Sequence, residues 1–149
     1  MPRIGRFLFG EWLRARGVEP VTRDGDRVAA AAGYKDLCDA EHHRRISLDA
    51  GELVCIDTLG GRFGKAVLRW RLTPADYRLE GATVRSAGLE LAVSADGAAV
   101  EAKLSSAPES LYYQSRTEIP VLEVTCDHPA TITTSLRFDA AALAGDTVA

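Results

Sequence analysis

The sequence is poor in the residues that most often carry chemistry. It has three cysteines, three histidines and one methionine, and aromatic residues make up 7% of its 149 positions. An odd cysteine count without C-x-x-C spacing excludes a disulfide framework. Cys55 and Cys126 lie in apolar runs and read as buried thiols. No stretch approaches the ~18 consecutive apolar residues of a membrane span. Met1-Pro2-Arg3-Ile4 opens no secretory apolar region, so the chain as written is expected in the cytoplasm. As a piece of a longer exported protein it would be periplasmic or extracellular. There is no G-x-S-x-G, which removes the nucleophile elbow. Gly60-Gly61-Arg62-Phe63-Gly64 lacks a following helix and a Lys-Ser/Thr pair, so it reads as a hairpin turn rather than a phosphate loop.

Charge is limited too. Eighteen basic against twenty-one acidic residues give a net charge of −3, which excludes a general affinity for polyanions. Residues 1–75 hold thirteen basic and ten acidic residues, whereas 76–149 hold five and eleven, so a basic face belongs to the first half. Basic residues are not interleaved with aromatics on one surface, and no nucleic-acid partner is expected.

What the sequence does contain is alternation. In 65–72, Ala66, Leu68, Trp70 and Leu72 point one way and Lys65, Arg69 and Arg71 the other, the mark of a half-buried strand. Leu89, Leu91 and Val93 repeat the pattern, as do Val100, Ala102 and Leu104, then Ile132, Leu136 and Phe138, and finally Ile46 and Leu48. The runs 53–56 and 119–124 are apolar on both faces and read as central strands between packed layers, with Pro120 marking a strand start or bulge. Turn residues at Asp24-Gly25-Asp26, Asp49-Ala50-Gly51, Gly60-Gly61, Ala95-Asp96-Gly97 and Asp127-His128-Pro129 separate the runs. Hairpins are expected over 45–59 and 89–104. Helix is expected only at 139–143 and in part of 7–16. The pattern predicts an all-β fold, an antiparallel β-sandwich, forming one domain over residues 1–149 with a frayed tail from 139.

Candidate site residues are few. His42-His43-Arg44-Arg45 is the densest polar cluster, but successive side chains on a strand face opposite ways. His42 and His43 therefore cannot share a metal ion without a bulge, and ligation of a metal by either with Asp57 or Glu41 has no diagnostic spacing. No metal or cofactor is predicted. Tyr112-Tyr113-Gln114-Ser115-Arg116 could stack a sugar ring and bind its carboxylate, although the two tyrosines face opposite sides. Trp70 reads as core, and Trp12 as a cap on one end of the sandwich.

Several elements in succession carry a family likeness. Gly33-Tyr34-Lys35-Asp36-Leu37, then His43-Arg44-Arg45-Ile46-Ser47-Leu48-Asp49, then Gly51-Glu52-Leu53-Val54-Cys55-Ile56-Asp57-Thr58-Leu59-Gly60-Gly61, with Trp70-Arg71-Leu72-Thr73-Pro74 later, resemble the carboxy-terminal β-sheet domain of the heparinase II/III-like family. That resemblance implies a sandwich which, in the family, packs against a helical toroid and cleaves uronic-acid polymers by β-elimination. It also implies that the helical domain's catalytic Tyr and a His-Ala-Asp-like motif do the chemistry. Neither is present here, and no position matches a family catalytic residue or a ligand of the metal some members hold. The expected function is accordingly a non-catalytic β-sandwich that binds an acidic polysaccharide or oligosaccharide, or a helical catalytic partner. Two alternatives stand beside it: part of a polysaccharide lyase completed by a missing helical domain, and a homo-oligomerising structural module. The residues expected to meet an acidic saccharide are His43, Arg44, Arg45, Arg69, Arg71, Tyr113 and Arg116.

Overall fold

A computed structural model describes residues 13–112 and 115–139. All regular structure among them is strand. The strands are β1 (Arg14–Asp24), β2 (Arg27–Lys35), β3 (Ala40–Asp49), β4 (Glu52–Gly61), β5 (Ala66–Arg71), β6 (Arg78–Glu80), β7 (Thr83–Ser86), β8 (Leu89–Asp96), β9 (Glu101–Glu109), β10 (Thr117–Cys126) and β11 (Ala130–Phe138). They form an eight-stranded sheet, ordered β1-β2-β3-β4-β11-β8-β7-β6, and a three-stranded sheet, ordered β5-β10-β9. Every pairing is antiparallel. The expected all-β, two-layer architecture is therefore the one observed.

Turn chemistry fixes much of this. Gly25, Gly51, Gly61 and Gly97 all sit in the left-handed region, where a side chain on Cβ is disfavoured. The two-residue turn Ala50-Gly51 sets Asp49 opposite Glu52 and hence Arg44 opposite Asp57 all along the β3–β4 hairpin.

The second expected hairpin, 89–104, does not form. β8 pairs with β7 and β11 in the large sheet, while β9 pairs with β10 in the small one. The turn at Gly97 carries the chain across the sandwich, so the apolar faces of the two strands meet through the core instead of lying side by side. Pro120 also lies inside β10 without a bulge, since pairing with β9 runs unbroken from Thr117 to Thr125. Its oxygen accepts a hydrogen bond from the Leu72 amide just past the end of β5. The N–H that proline lacks is thus missing only where β5 has already run out. Leu13 has no regular structure and Arg14, Ala15 and Arg16 belong to β1 rather than to a helix; residues 7–12, Trp12 among them, and 140–143 lie outside the described residues.

The core lies between the small sheet and part of the large one. Leu72, Val84, Leu91, Val93, Leu122, Val124, Cys126, Ala130 and Ile132 form its buried centre, with Leu68, Trp70, Leu104 and Leu136 packed against it. No described residue of β1, β2 or β3 belongs to this cluster. Three strands cannot cover eight, and the uncovered part is the wing β1-β2-β3. Ile46 and Leu48 keep their alternation but remain 36% and 40% exposed on that wing, and every residue of β1 is exposed. The reading of 45–49 as a half-buried strand fails there for want of a covering layer. β4 is central in its sheet, yet its outward-facing Val54 and Ile56 are only half-buried, with no second layer over them among the described residues.

Candidate functional site

The seam between covered and bare halves holds the polar centre of the molecule. Ladder register places Ile132, Asp57, Arg44 and Ala32 in one row across β11, β4, β3 and β2, on the face that looks toward the small sheet. Ile132 lies in the core and Ala32 is exposed, so the row runs from oil to water. Asp57, 1% exposed, sits at the transition.

Its carboxylate is fully engaged. Asp57 Oδ1 is 2.5 Å from His42 Nε2 and accepts from Arg44 Nε at 2.7 Å, and Oδ2 accepts from Arg44 Nη2 at 3.1 Å. The paired Arg44 contacts form a two-pronged grip, which suits the planar guanidinium. The Cys55 thiol donates to Oδ2 at 3.4 Å. Burial pushes the Asp57 carboxyl up, but the bonds from His42 and Arg44 together outweigh it and hold the group below its ordinary value of 3.8. Burial, with the Asp57 charge beside it, pushes the Cys55 thiol up to about 12. That thiol is protonated and unreactive at neutral pH.

Arg44 makes a further contact, its guanidinium carbon lying 5.3 Å from the centroid of the Trp70 ring. This links β3 to β5 across the seam. The Trp70 indole N–H is buried without a hydrogen-bond partner among the described residues. Tyr34 meets His42 edge-on at 5.4 Å. Between these groups and β5 opens a cleft of about 360 Å³, lined among others by Tyr34, His42, Asp57, Phe63, Lys65 and Arg69. Among the described residues no group of three or more His, Cys, Asp and Glu side chains is arranged to hold a metal ion.

The residues expected to meet an acidic saccharide are not brought to one place. Arg44 grips Asp57 on the inner face. His43 and Arg45 point to the opposite face, as strand alternation requires, His43 Nε2 lying 3.2 Å from Gly17 O and Arg45 donating to Glu19 at 2.7 Å. Arg69 pairs with Glu123 at 2.7 Å and Arg71 reaches Glu109 and the Pro108 carbonyl, both on the outer surface of the small sheet. Arg116 is exposed just before β10, and Tyr113 lies outside the described residues. What sequence reasoning misses is the joint engagement of Asp57 by His42 and Arg44. The signal was available, because a two-residue turn at 50–51 dictates that Arg44 and Asp57 face each other.

The same two-layer arrangement occurs in solved lyases. Its fold is similar to part of heparinase III. A heparinase III gene product matches with a TM-score of 0.68 at 11% identity, over 83% of this chain and 21% of that one. The heparan sulfate lyase HepC from Pedobacter heparinus matches with a TM-score of 0.67 at 12% identity, again over 83% and 21%. This chain thus spans about a fifth of the length of the lyases it matches, and the shared part is strand, since the described residues contain no helix. At such identities the likeness is one of fold. No family model matches the sequence, and no curated protein does.

Proposed function

We propose that this chain is a non-catalytic β-sandwich module that supplies the sheet portion of a polysaccharide-lyase-type assembly and works by packing against a partner. The carrying observation is the half-covered sandwich, in which the apolar inner face continues past the small sheet onto β3 and β2 with nothing described above it. Contiguous exposed apolar surface of this kind marks an interaction site. The fold likeness to a fifth of two lyases supports the choice of assembly. The polar centre supports the absence of catalysis, since Asp57 is locked by three donors and held ionised, so its carboxylate is not poised as an acid or base. Incubated alone with heparan sulfate, the chain is expected to release no unsaturated uronate. Product that scales with chain concentration would overturn the reading.

A second reading places an acidic saccharide in the seam cleft. It is favoured by the 37% exposed Tyr34 ring and by Lys65 at the cleft rim. On this reading a heparan sulfate oligosaccharide binds the chain, and Lys65→Ala and Tyr34→Ala each weaken it several-fold. An unchanged affinity in both variants rules the cleft out.

A further inference from the structure

The two sheets have four edges, and three are blunted. β1 carries two register shifts, Gly17 in the left-handed region and Pro20. β6 is three residues long. β9 lies against β6 and carries Pro108 near its end. Bulges, prolines and short strands are the devices by which sheets prevent edge pairing. The fourth edge, β5, has no bulge, no proline and no such truncation; its only guard is the charge of Arg69 and Arg71. It runs six residues in regular register with β10 and, among the described residues, pairs with no other strand.

That edge opens on the bare wing. Five consecutive residues, Lys65, Ala66, Val67, Leu68 and Arg69, line the seam cleft opposite Tyr34, His42 and Asp57. Consecutive residues of a strand can border one cavity only when its backbone edge, not one side-chain face, looks into it. Leu72 donates to Pro120 at 2.9 Å, so antiparallel alternation turns the Leu68 and Trp70 backbone groups toward β10. Those of Val67, Arg69 and Arg71 then face the cleft.

We propose that the β5 edge is a strand-acceptor site, and that its occupant is an extended segment of the partner, apolar at alternate residues and acidic between them. The proposal rests on the reading that the chain packs against a partner. Paired to β5, such a strand becomes the fourth member of the small sheet and lies over β3 and β2, where Ile46, Ala30 and Ala32 wait uncovered. Its apolar residues continue the row of Ala66, Leu68 and Trp70 over the wing. Its acidic residues stand beside Arg69 and Arg71 on the outer surface, sharing these exposed guanidinium groups with Glu123 and Glu109.

The test is amide hydrogen exchange on the full chain, with a capped peptide of about eight residues alternating valine and glutamate as the probe. In the dilute chain alone, the Val67, Arg69 and Arg71 amides exchange quickly while Leu68, Trp70 and Leu72 are protected. Peptide is expected to slow the three open-edge amides by at least about tenfold. In Val67→Pro, which removes an N–H facing the cleft and none facing β10, that protection is lost at unchanged thermal stability. Binding that leaves the three amides unprotected, or no binding at all, overturns the proposal. So does protection already present in the dilute chain, which would mean that its own residues fill the edge. Protection that rises with chain concentration alone would assign the edge to a second copy and overturn the partner strand. None of these outcomes depends on heparan sulfate turnover, so the acceptor site and the non-catalytic reading fail separately.

Discussion

Asp57→Asn tests the seam most directly, because it keeps the side-chain shape and removes the charge on which His42 and Arg44 converge. Stripping one partner from a fully buried ion pair costs about 3–5 kcal/mol, mostly because the other charge is stranded. Here Asp57 is 1% exposed, but Arg44 and His42 are 34% and 22% exposed, so the stranded guanidinium regains part of its hydration. Asn also keeps one acceptor for Arg44. The expected loss is therefore about 2–3 kcal/mol, or a fall in Tm of about 4–10 °C for a domain of this size. The loss should depend on pH. Because the folded Asp57 carboxyl titrates below its ordinary 3.8, its stabilisation is complete above that value and disappears as pH falls through the folded one. Urea unfolding of wild type and variant is the assay, run from neutral pH down to about pH 3. The gap should be widest at neutral pH and should narrow on acidification. A gap below about 0.5 kcal/mol at neutral pH, or one that does not change with pH, refutes the assignment of Asp57 as a charge anchor.

Other perturbations separate causes that look alike. Gly25→Ala and Gly61→Ala both force a side chain into the left-handed region, yet a Cβ at Gly25 meets nothing within 4 Å whereas one at Gly61 collides with the Asp39 carbonyl oxygen; thermal melts should show about 1 kcal/mol lost at Gly25 and well above about 2 kcal/mol at Gly61. Leu48→Ala, on the bare wing, should change stability by no more than about 0.5 kcal/mol, while Leu91→Ala, fully buried, should cost about 2–5 kcal/mol by denaturant titration. Iodoacetamide near neutral pH should label Cys38 in the native chain and leave Cys55 and Cys126 untouched until unfolding, as read by mass spectrometry. Rapid native labelling of Cys55 would show that the seam opens far more readily than its packing implies.

How far the sequence reaches depends on what kind of information a feature needs. Alternation over 65–72 places Trp70 inward and Arg69 and Arg71 outward because period 2 is a property of the strand itself. The Ala50-Gly51 turn settles the β3–β4 register for a similarly local reason. Gly97 does not settle its own case, because the same turn residues serve a hairpin or a crossing between layers, and the choice belongs to distant partners β7, β10 and β11. β6 and β7, of three and four residues, are too short to show a period at all. Ile46 and Leu48 alternate as well as Leu91 and Val93 do, yet only the second pair is buried. Alternation says which way a side chain points; it says nothing about whether another layer is there to meet it. The scattering of His43, Arg44, Arg45, Arg69 and Arg71 has the same origin, since adjacent basic residues in sequence are assigned to opposite faces by the pleat.

The seam chemistry and the open edge bear on each other. Asp57 occupies a position with apolar core on one side and the bare wing on the other, buried deeply enough that an unpaired carboxylate would be costly. Arg44 and His42 from β3 satisfy it, and both still touch water. A strand laid along β5 would remove that water and bury Arg44 and His42 further. Desolvating the Arg44 guanidinium alone would oppose docking, but its counter-charge is already in place, with two bonds to Asp57 and the Trp70 ring beside it. The pair is therefore built for an environment drier than the one the isolated chain provides. Removing the Asp57 charge should penalise docking at β5 more than it penalises folding, because only in the docked state is the stranded Arg44 denied solvent.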